Sequence, residues 1–286
     1  MTLGPRGVAA ATLIAVVAIC GVAVAIGPMA AQALIGENST ASMPAMETVF
    51  TLVIFLPLVL AGIGGGALAG ANAVRPGEHP LALALIGGLL GLAGVIVAVV
   101  SASVAGVLTE GAAPQATAFL LLWGAGVVLI QTGAEEVLFR GWLQPVLERA
   151  WGTALAIGIT ALAFAGLHVM GGARSPVTLV NLFLGGVMFG LLAAHGRGIA
   201  GALAAHFAWN GAEQLVLGLD PNPGIGSFGA LLDLEMGGAQ VWGGSDEGLN
   251  ASLAMTVALV LIVIPLALVV RHRTQAKAKP KRLTID

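Results

Sequence analysis

The chain carries little charge. Only 9% of its 286 residues are Asp, Glu, Lys or Arg, while 58% are hydrophobic. A soluble globular domain has about 25% charged residues, so this composition excludes that class. The apolar runs are continuous and about 20 residues long, which excludes the alternating strands of a membrane β-barrel. The sequence therefore predicts an all-α, polytopic membrane protein that resides in a lipid bilayer.

Cysteine and exposed basic surface are also scarce. Cys20 is the single cysteine, which excludes an intramolecular disulfide and a cysteine-held metal cluster. The net charge is −2, and no basic stretch is interleaved with aromatic residues, so we expect no nucleic-acid partner. The sequence carries no pattern that predicts an oligomeric state.

Eight apolar segments predict about eight transmembrane helices. They fall at 8–35, 48–74, 81–108, 116–147, 153–170, 177–195, 198–219 and 252–270. Most connections are too short for a soluble domain, so we interpret residues 1–270 as one transmembrane domain. Its Gly-rich and acidic connection 220–251 is predicted to be a solvated external loop with some helix at Gly229–Met236, and residues 271–286 form a basic cytoplasmic tail.

Lysine and arginine predict the orientation, because cytoplasmic loops are enriched in both. With eight spans, one side holds the basic tail together with Arg6, Arg75, Arg149 and Arg197. The opposite side holds only Arg174. We therefore expect a multi-pass protein of the cell membrane with both termini in the cytoplasm.

The first segment has an alternative interpretation as a signal peptide. Arg6 precedes an apolar run, and Ala31-Gln32-Ala33 resembles a small-residue cleavage site. However, the run Val8–Ile26 is longer than a signal h-region of roughly 7–15 residues. We favour a retained anchor.

Ionisable residues interrupt the fourth apolar segment at Glu135, Glu136 and Arg140. Charge in hydrocarbon is costly unless it is paired or faces a wet cavity, so such residues are functional candidates. Glu136 and Arg140 are four residues apart with the acid first, which favours a helical ion pair and a structural role for both. Glu135 is rotated by about 100° from Glu136, so it is the better candidate for proton transfer.

Three further polar residues lie in later apolar segments: His168, His206 and Asn210. Glu135 and His168 are almost equally distant from a predicted turn near Trp151, so a helical hairpin places them at similar depth. His206 and Asn210 share one helix face through their spacing of four. Each residue alone fits a helix-packing role, but their coincidence indicates a catalytic constellation.

Other intramembrane protease chemistries lack their residues. No histidine precedes a glutamate, as the zincin pattern His-Glu-x-x-His requires. Ser227 lies in a loop and departs from Gly-x-Ser-x-Gly, and all four aspartates lie in loops, at span ends or in the tail. Glutamate and histidine remain as the catalytic candidates.

In chain order, Glu135-Glu136-x-x-x-Arg140-Gly141, Phe164-x-x-x-His168 and His206-x-x-x-Asn210 resemble the three motifs of the CPBP intramembrane proteases. This family includes the CAAX prenyl endopeptidases and the bacterial Abi and bacteriocin-immunity relatives. The resemblance covers about residues 116–219 and implies hydrolysis of a membrane-associated peptide or protein. The first three spans match no motif of the family.

The expected reaction is hydrolysis by an activated water. Glu135 would act as general base and His168 would orient the water, while His206 and Asn210 would donate hydrogen bonds to the oxyanion. The resemblance implies the same division of labour. We favour a site without a tightly bound metal; the alternative is a zinc ion on Glu135, His168 and His206 with an open water position.

Two alternatives are not enzymes. A proton-coupled transporter would use Glu135, His168 and Glu213 as a relay, but it does not explain the motif order. A catalytically silent scaffold or immunity protein would not need the intact set of four groups.

The lack of tyrosine with abundant Ala and Gly is typical of GC-rich prokaryotic genomes, so we do not expect a prenylated substrate.

Overall fold

The computed structural model describes residues 3–37, 39–112, 115–219, 226–243 and 245–278. Its α-helices are α1 (Pro5–Ile35), α2 (Met43–Leu68), α3 (Pro80–Val104), α4 (Ala118–Glu136), α5 (Gln144–Trp151), α6 (Thr153–Gly171), α7 (Pro176–Gly196), α8 (Ala200–Gly211) and α9 (Leu253–Ala278). A π-helical segment, Val137–Leu143, joins α4 to α5, and a second one, Ala212–Val216, extends α8. Two short strands, β1 (Leu108–Glu110) and β2 (Leu234–Met236), pair antiparallel.

The all-α polytopic prediction is confirmed. Seven helices of the described chain are long and apolar enough to cross a membrane, and the continuous rod Ala118–Trp151 counts as one of them. The segment predicted at 198–219 is also helical, but α8 and its π extension end at Val216. The protein is therefore a multi-pass membrane protein, and α8 is too short to count among these seven helices.

Local sequence signals set the helix boundaries. Proline occupies the first or second position of α1, α2, α3 and α7, where its missing N–H has no intrahelical partner to lose. The predicted turn near Trp151 is confirmed, because α5 ends there and α6 begins at Thr153. Gly152 makes this turn with a φ of 82°, a conformation that glycine adopts without steric cost.

Close helix contact places α8 in the core. A side chain at Gly87 of α3 would collide with the backbone of Gly201, and one at Gly91 would collide with the backbone of Ala205. Small residues allow this approach, as in other membrane helix pairs. Large apolar side chains are instead exposed on the outer surface, where they would contact lipid: Leu85, Leu122, Leu162 and Leu261.

The two ends of the helix bundle differ in charge. Arg75, Arg149 and Arg197 border one cavity at the end where α5 and α7 finish, which we name the basic end. The opposite end carries the β1–β2 pair, with Glu110 and Glu235 on its strands. We name this the acidic end.

The acidic connection is more ordered than predicted. Between residues 226 and 251 it contributes β2 and two 3₁₀ turns, and it buries Phe228, Ala230 and Leu249. It is therefore a packed cap on the acidic end rather than a simple solvated loop. Asp220 of this connection lies outside the described residues, as do residues 279–286 of the basic tail, and α9 continues to Ala278 beyond the predicted boundary at 270.

Candidate active site

One cavity of about 270 Å³ is bordered by all four predicted catalytic residues: Glu135, His168, His206 and Asn210. Glu135 comes from the last turn of α4, His168 from the last turn of α6, and the other two from α8. Residues that are up to 75 positions apart thus converge on a single open space. The cavity can hold water beside a carboxylate, two imidazoles and a carboxamide.

Arg140 and Glu136 form a buried ion pair beside this cavity. Arg140 Nη1 donates to Glu136 Oε1 over 3.0 Å, and both side chains are fully buried. Arg140 Nη2 also donates to the carbonyl oxygen of Gly186 at 3.1 Å, and the guanidinium lies 4.7 Å from the ring centre of Phe164. Because a buried charge without a partner is strongly destabilising, these contacts explain how the arginine is retained in the core.

The first motif continues into the π-helical segment that follows Glu136. Such segments are rare and are frequent at functional sites. Within it, Gly141 packs against the backbone of Ala73 so closely that a side chain would collide with the Ala73 carbonyl. The motif glycine therefore allows the connection between α2 and α3 to contact the rod next to the buried ion pair.

His206 is fixed by both glutamates and by an aromatic ring. Its Nδ1 lies 2.9 Å from Glu136 Oε1, and its Nε2 lies 3.8 Å from Glu135 Oε2. The imidazole also stacks on Phe189, with ring centres 4.4 Å apart. A carboxylate only accepts hydrogen bonds at neutral pH, so His206 Nδ1–H is the donor to Glu136. Its Nε2 therefore faces the cavity and Glu135.

His168 is held by its own helix. Its Nδ1 lies 2.9 Å from the carbonyl oxygen of Phe164, and since a carbonyl only accepts, Nδ1–H donates. The other ring nitrogen, Nε2, is then left for contacts in the cavity. The Phe164 ring packs against both imidazoles, with centres 4.7 Å from His168 and 5.9 Å from His206.

The metal alternative stays a prediction. Within the described part of the chain, no group of three His, Cys, Asp or Glu side chains is arranged to hold a metal ion. Glu135, His168 and His206 do border the same cavity, and the two imidazole Nε2 atoms and the Glu135 carboxylate would be the ligating groups. A direct metal measurement decides between the two forms of the site.

Some site residues were missed from the sequence. Gln131 borders the cavity and could have been found, because it is a polar residue one helical turn before Glu135. Phe189 could not, because an apolar residue in an apolar span carries no signal. The contact between Glu136 and His206 joins two helices 70 residues apart, so helical spacing alone does not predict it.

A second cavity of about 760 Å³ lies at the basic end. Arg140 and Gln144 border its inner part, while Arg75, Arg149 and Arg197 border its outer part. Gln144 is buried and its Nε2 donates to the carbonyl oxygen of Gly190 at 3.0 Å. The buried Glu136–Arg140 pair thus lies between the two cavities.

Comparison with known proteins identifies the motif-bearing part of the chain. A family model described as type II CAAX prenyl endopeptidase Rce1-like matches residues 116–212. A search of the curated proteins finds no match. The matched segment includes every residue of the three motifs, from Glu135 to Asn210. The resemblance drawn from those motifs is therefore confirmed: this segment matches the Rce1-like family of CAAX prenyl endopeptidases.

Proposed function

We propose that this protein is an intramembrane endopeptidase that hydrolyses peptide bonds of a membrane-associated peptide or protein. One observation carries the proposal. Glu135, His168, His206 and Asn210 border a single cavity, and all four lie within the segment that matches the Rce1-like family. The name of the family does not define the substrate of this chain, and no prenyl group is required by the proposal.

Glu135 is the general base of the proposed reaction. Within the described residues its Oε2 is buried and accepts no hydrogen bond, so it can accept a proton from a water in the cavity. His168 Nε2 orients the same water, since His168 Nδ1 is occupied by the Phe164 carbonyl. The hydroxide that forms attacks the carbonyl carbon of the scissile bond, and the proton passes to the leaving amine.

His206 and Asn210 stabilise the tetrahedral intermediate in this proposal. Because His206 Nδ1–H is directed at Glu136, only Nε2 remains to donate to the oxyanion. In this role Nε2 carries a proton as well as Nδ1, and the carboxylates of Glu135 and Glu136 lie 3.8 and 2.9 Å from the two ring nitrogens. A correctly placed donor of this kind contributes about 3–4 kcal/mol to transition-state stabilisation.

Glu136 acts as a positioning residue rather than as the base. Its Oε1 accepts from both Arg140 and His206, and Glu135, not Glu136, borders the active-site cavity. Arg140 pairs with this carboxylate, and the carboxylate holds His206 Nδ1–H in one orientation. The Glu136–Arg140 ion pair therefore stabilises the fold and also holds His206, the proposed oxyanion donor, in position.

The proposal is tested by comparing peptides released from membranes that contain the protein or its Glu135→Gln variant. Glu148→Gln is a matched control, because Glu148 lies on the same rod but borders the basic-end cavity. We expect the peptide profile to change in Glu135→Gln and to stay unchanged in Glu148→Gln. Identical profiles for the wild type and Glu135→Gln would reject the proposed function.

A proton-coupled transporter is the second candidate, and one observation favours it. Two cavities approach the buried Glu136–Arg140 pair from opposite ends, as alternating access would require. A transporter would release no peptide in a Glu135-dependent manner. The membrane comparison above therefore separates the two candidates, and peptide release that depends on Glu135 excludes transport as the sole activity.

A further inference from the structure

The active-site cavity lies in the half of the bundle nearest the acidic end. His168 is three residues from the end of α6, and Asn181 is five residues after the start of α7. Asn250 and Met255 border the cavity from just before and just after the start of α9. Because each of these helix ends lies at the acidic end, the cavity is reached from there.

The path from the basic end is closed by buried side chains. Glu136 and Arg140 are fully buried and bonded to each other, and Phe139 and Met188 are also fully buried in the surrounding core. Arg140 borders the basic-end cavity, whereas Glu135 borders the active-site cavity. A peptide at the basic end would have to displace this ion pair to reach Glu135.

Charge indicates which end faces the cytoplasm. Arg75, Arg149 and Arg197 border the basic-end cavity, as does Val270 of α9, the helix that leads into the basic tail. Within the described residues the acidic end has Arg174 as its only arginine or lysine, and the backbone of Arg174 is bonded to Glu247. Since Lys and Arg near span ends mark the cytoplasmic side, the acidic end faces away from the cytoplasm.

Resting on the endopeptidase function proposed above, we infer that the substrate is a peptide segment at the extracytoplasmic face of the membrane. Such a segment enters the cavity between the cap formed by residues 226–251 and the ends of α6 and α8. This substrate class comprises extracytoplasmic ends of membrane-spanning helices and secreted peptides associated with the outer leaflet. Cytoplasmic carboxyl-terminal tails lie on the wrong side of the closed ion pair.

A cysteine-labelling experiment tests the side of entry without requiring catalysis. The single native thiol, Cys20, is buried, and Cys20→Ala gives a thiol-free background. Gln214→Cys places a thiol in the active-site cavity, and Thr153→Cys places one in the basic-end cavity. Both native residues are half-buried, so the two variants are matched. Asn250→Cys is the substitute if Gln214→Cys is poorly produced.

We expect a membrane-impermeant maleimide to label Gln214→Cys in intact cells and Thr153→Cys only after permeabilisation. The reverse pattern, or equal labelling of both in intact cells, would overturn the inference. The substrate class is checked by locating the peptides that disappear in Glu135→Gln membranes. Peptides from extracytoplasmic segments support it, and peptides from cytoplasmic segments overturn it even if the labelling is as expected.

The two experiments distinguish a failure of the proposed endopeptidase function from a failure of the proposed extracytoplasmic entry. If Glu135→Gln leaves the peptide profile unchanged, the endopeptidase function and the substrate class are rejected together, while the labelling result still defines which face the cavity opens to. If the profile changes but the labelling pattern is reversed, the function stands and only the extracytoplasmic entry is wrong.

Discussion

The two cavities are built on the same helical rod, yet only one is bordered by Glu135, His168, His206 and Asn210. Glu135 faces the active-site cavity and carries an unengaged carboxylate oxygen. Arg140, five residues later, borders the basic-end cavity, and its Nη atoms are engaged by Glu136 and Gly186. The presence of a charged side chain beside a cavity therefore does not by itself indicate a reactive site. The decisive difference is whether a buried charge is already paired.

Among the variants that test this difference, the loss of the Glu135 carboxylate should have the largest effect. Glu135→Gln should keep the size and polarity of the side chain but remove the proton acceptor, so turnover should fall by at least about 10²–10⁴-fold. The yield of folded protein should stay close to that of the wild type, because Glu135 holds no ion-pair partner at hydrogen-bonding distance. Peptide release and thermal melting of the purified protein measure the two effects. A well-folded Glu135→Gln that retains activity would contradict the assignment of the base.

The oxyanion donors should show a smaller and more selective effect. Asn210→Ala should lower kcat by on the order of 10²–10³-fold with little change in KM, since the donor acts on charge that develops in the transition state. Asn210→Asp should also be poor, because a carboxylate repels the oxyanion. Steady-state kinetics on a peptide identified in the release experiment measures both variants.

The same site tests the metal alternative. If zinc is required, a chelator removes activity, added zinc restores it, and His206→Ala loses the bound metal. Stoichiometric metal in active wild-type protein and its loss in His206→Ala would move His206 from oxyanion donor to ligand. Activity that persists in chelator with unchanged metal content would retain the donor role.

Glu136→Gln should act mainly on stability. Removing one partner of a buried ion pair costs about 3–5 kcal/mol, because Arg140 would keep its charge without a carboxylate. The double variant Glu136→Gln with Arg140→Met should recover part of the lost melting temperature, since no charge is then stranded. Activity of Glu136→Gln should fall less than that of Glu135→Gln, as the amide oxygen still accepts from His206 Nδ1–H. If Glu136→Gln were inactive and fully stable, the roles of the two glutamates would be reversed.

The sequence predicted what helical geometry controls. The spacing of four brought Glu136 to Arg140, and the turn at Gly152 brought Glu135 and His168 to one cavity. Composition was sufficient for the membrane fold, because apolar runs of this length have few alternative structures in lipid.

Tertiary contacts between distant helices could not be predicted in the same way. Glu136 and His206 lie on α4 and α8, and the position of α8 depends on its close approach to α3 at Gly87 and Gly91, which helical spacing does not encode. The strands β1 and β2 have three residues each, which is too short for an alternating pattern to be recognised. The cap on the acidic end was therefore predicted as a loop.

The smallest expected effect concerns the attachment of that cap. Glu247 Oε1 accepts from the backbone N–H groups of Arg174 and Ser175, at 3.0 and 2.8 Å, at the start of α7. Partial burial raises the pKa of Glu247, but the nearby Thr178 hydroxyl, the backbone N–H groups of Ser175 and Arg174 and the charge of Arg174 lower it more, so the net pKa lies below its ordinary value. Its stabilising contribution is therefore complete above the ordinary carboxyl pKa and is lost as the pH falls through the lowered one.

Glu247→Gln should consequently lower the melting temperature at pH 7. At a pH below the lowered pKa, the variant and the wild type should melt at the same temperature, because the Glu247 carboxyl group is then uncharged. Glu247 is only partly buried, so the shift should be below about 3 °C, as expected for a charged contact near the surface. Glu235→Gln is the control, because Glu235 lies on β2 at the same end with an exposed side chain, and it should be neutral at both pH values. Melting curves of both variants at neutral and acidic pH measure the difference. A Glu247→Gln effect that persists unchanged at low pH would show that shape, rather than charge, attaches the cap to α7.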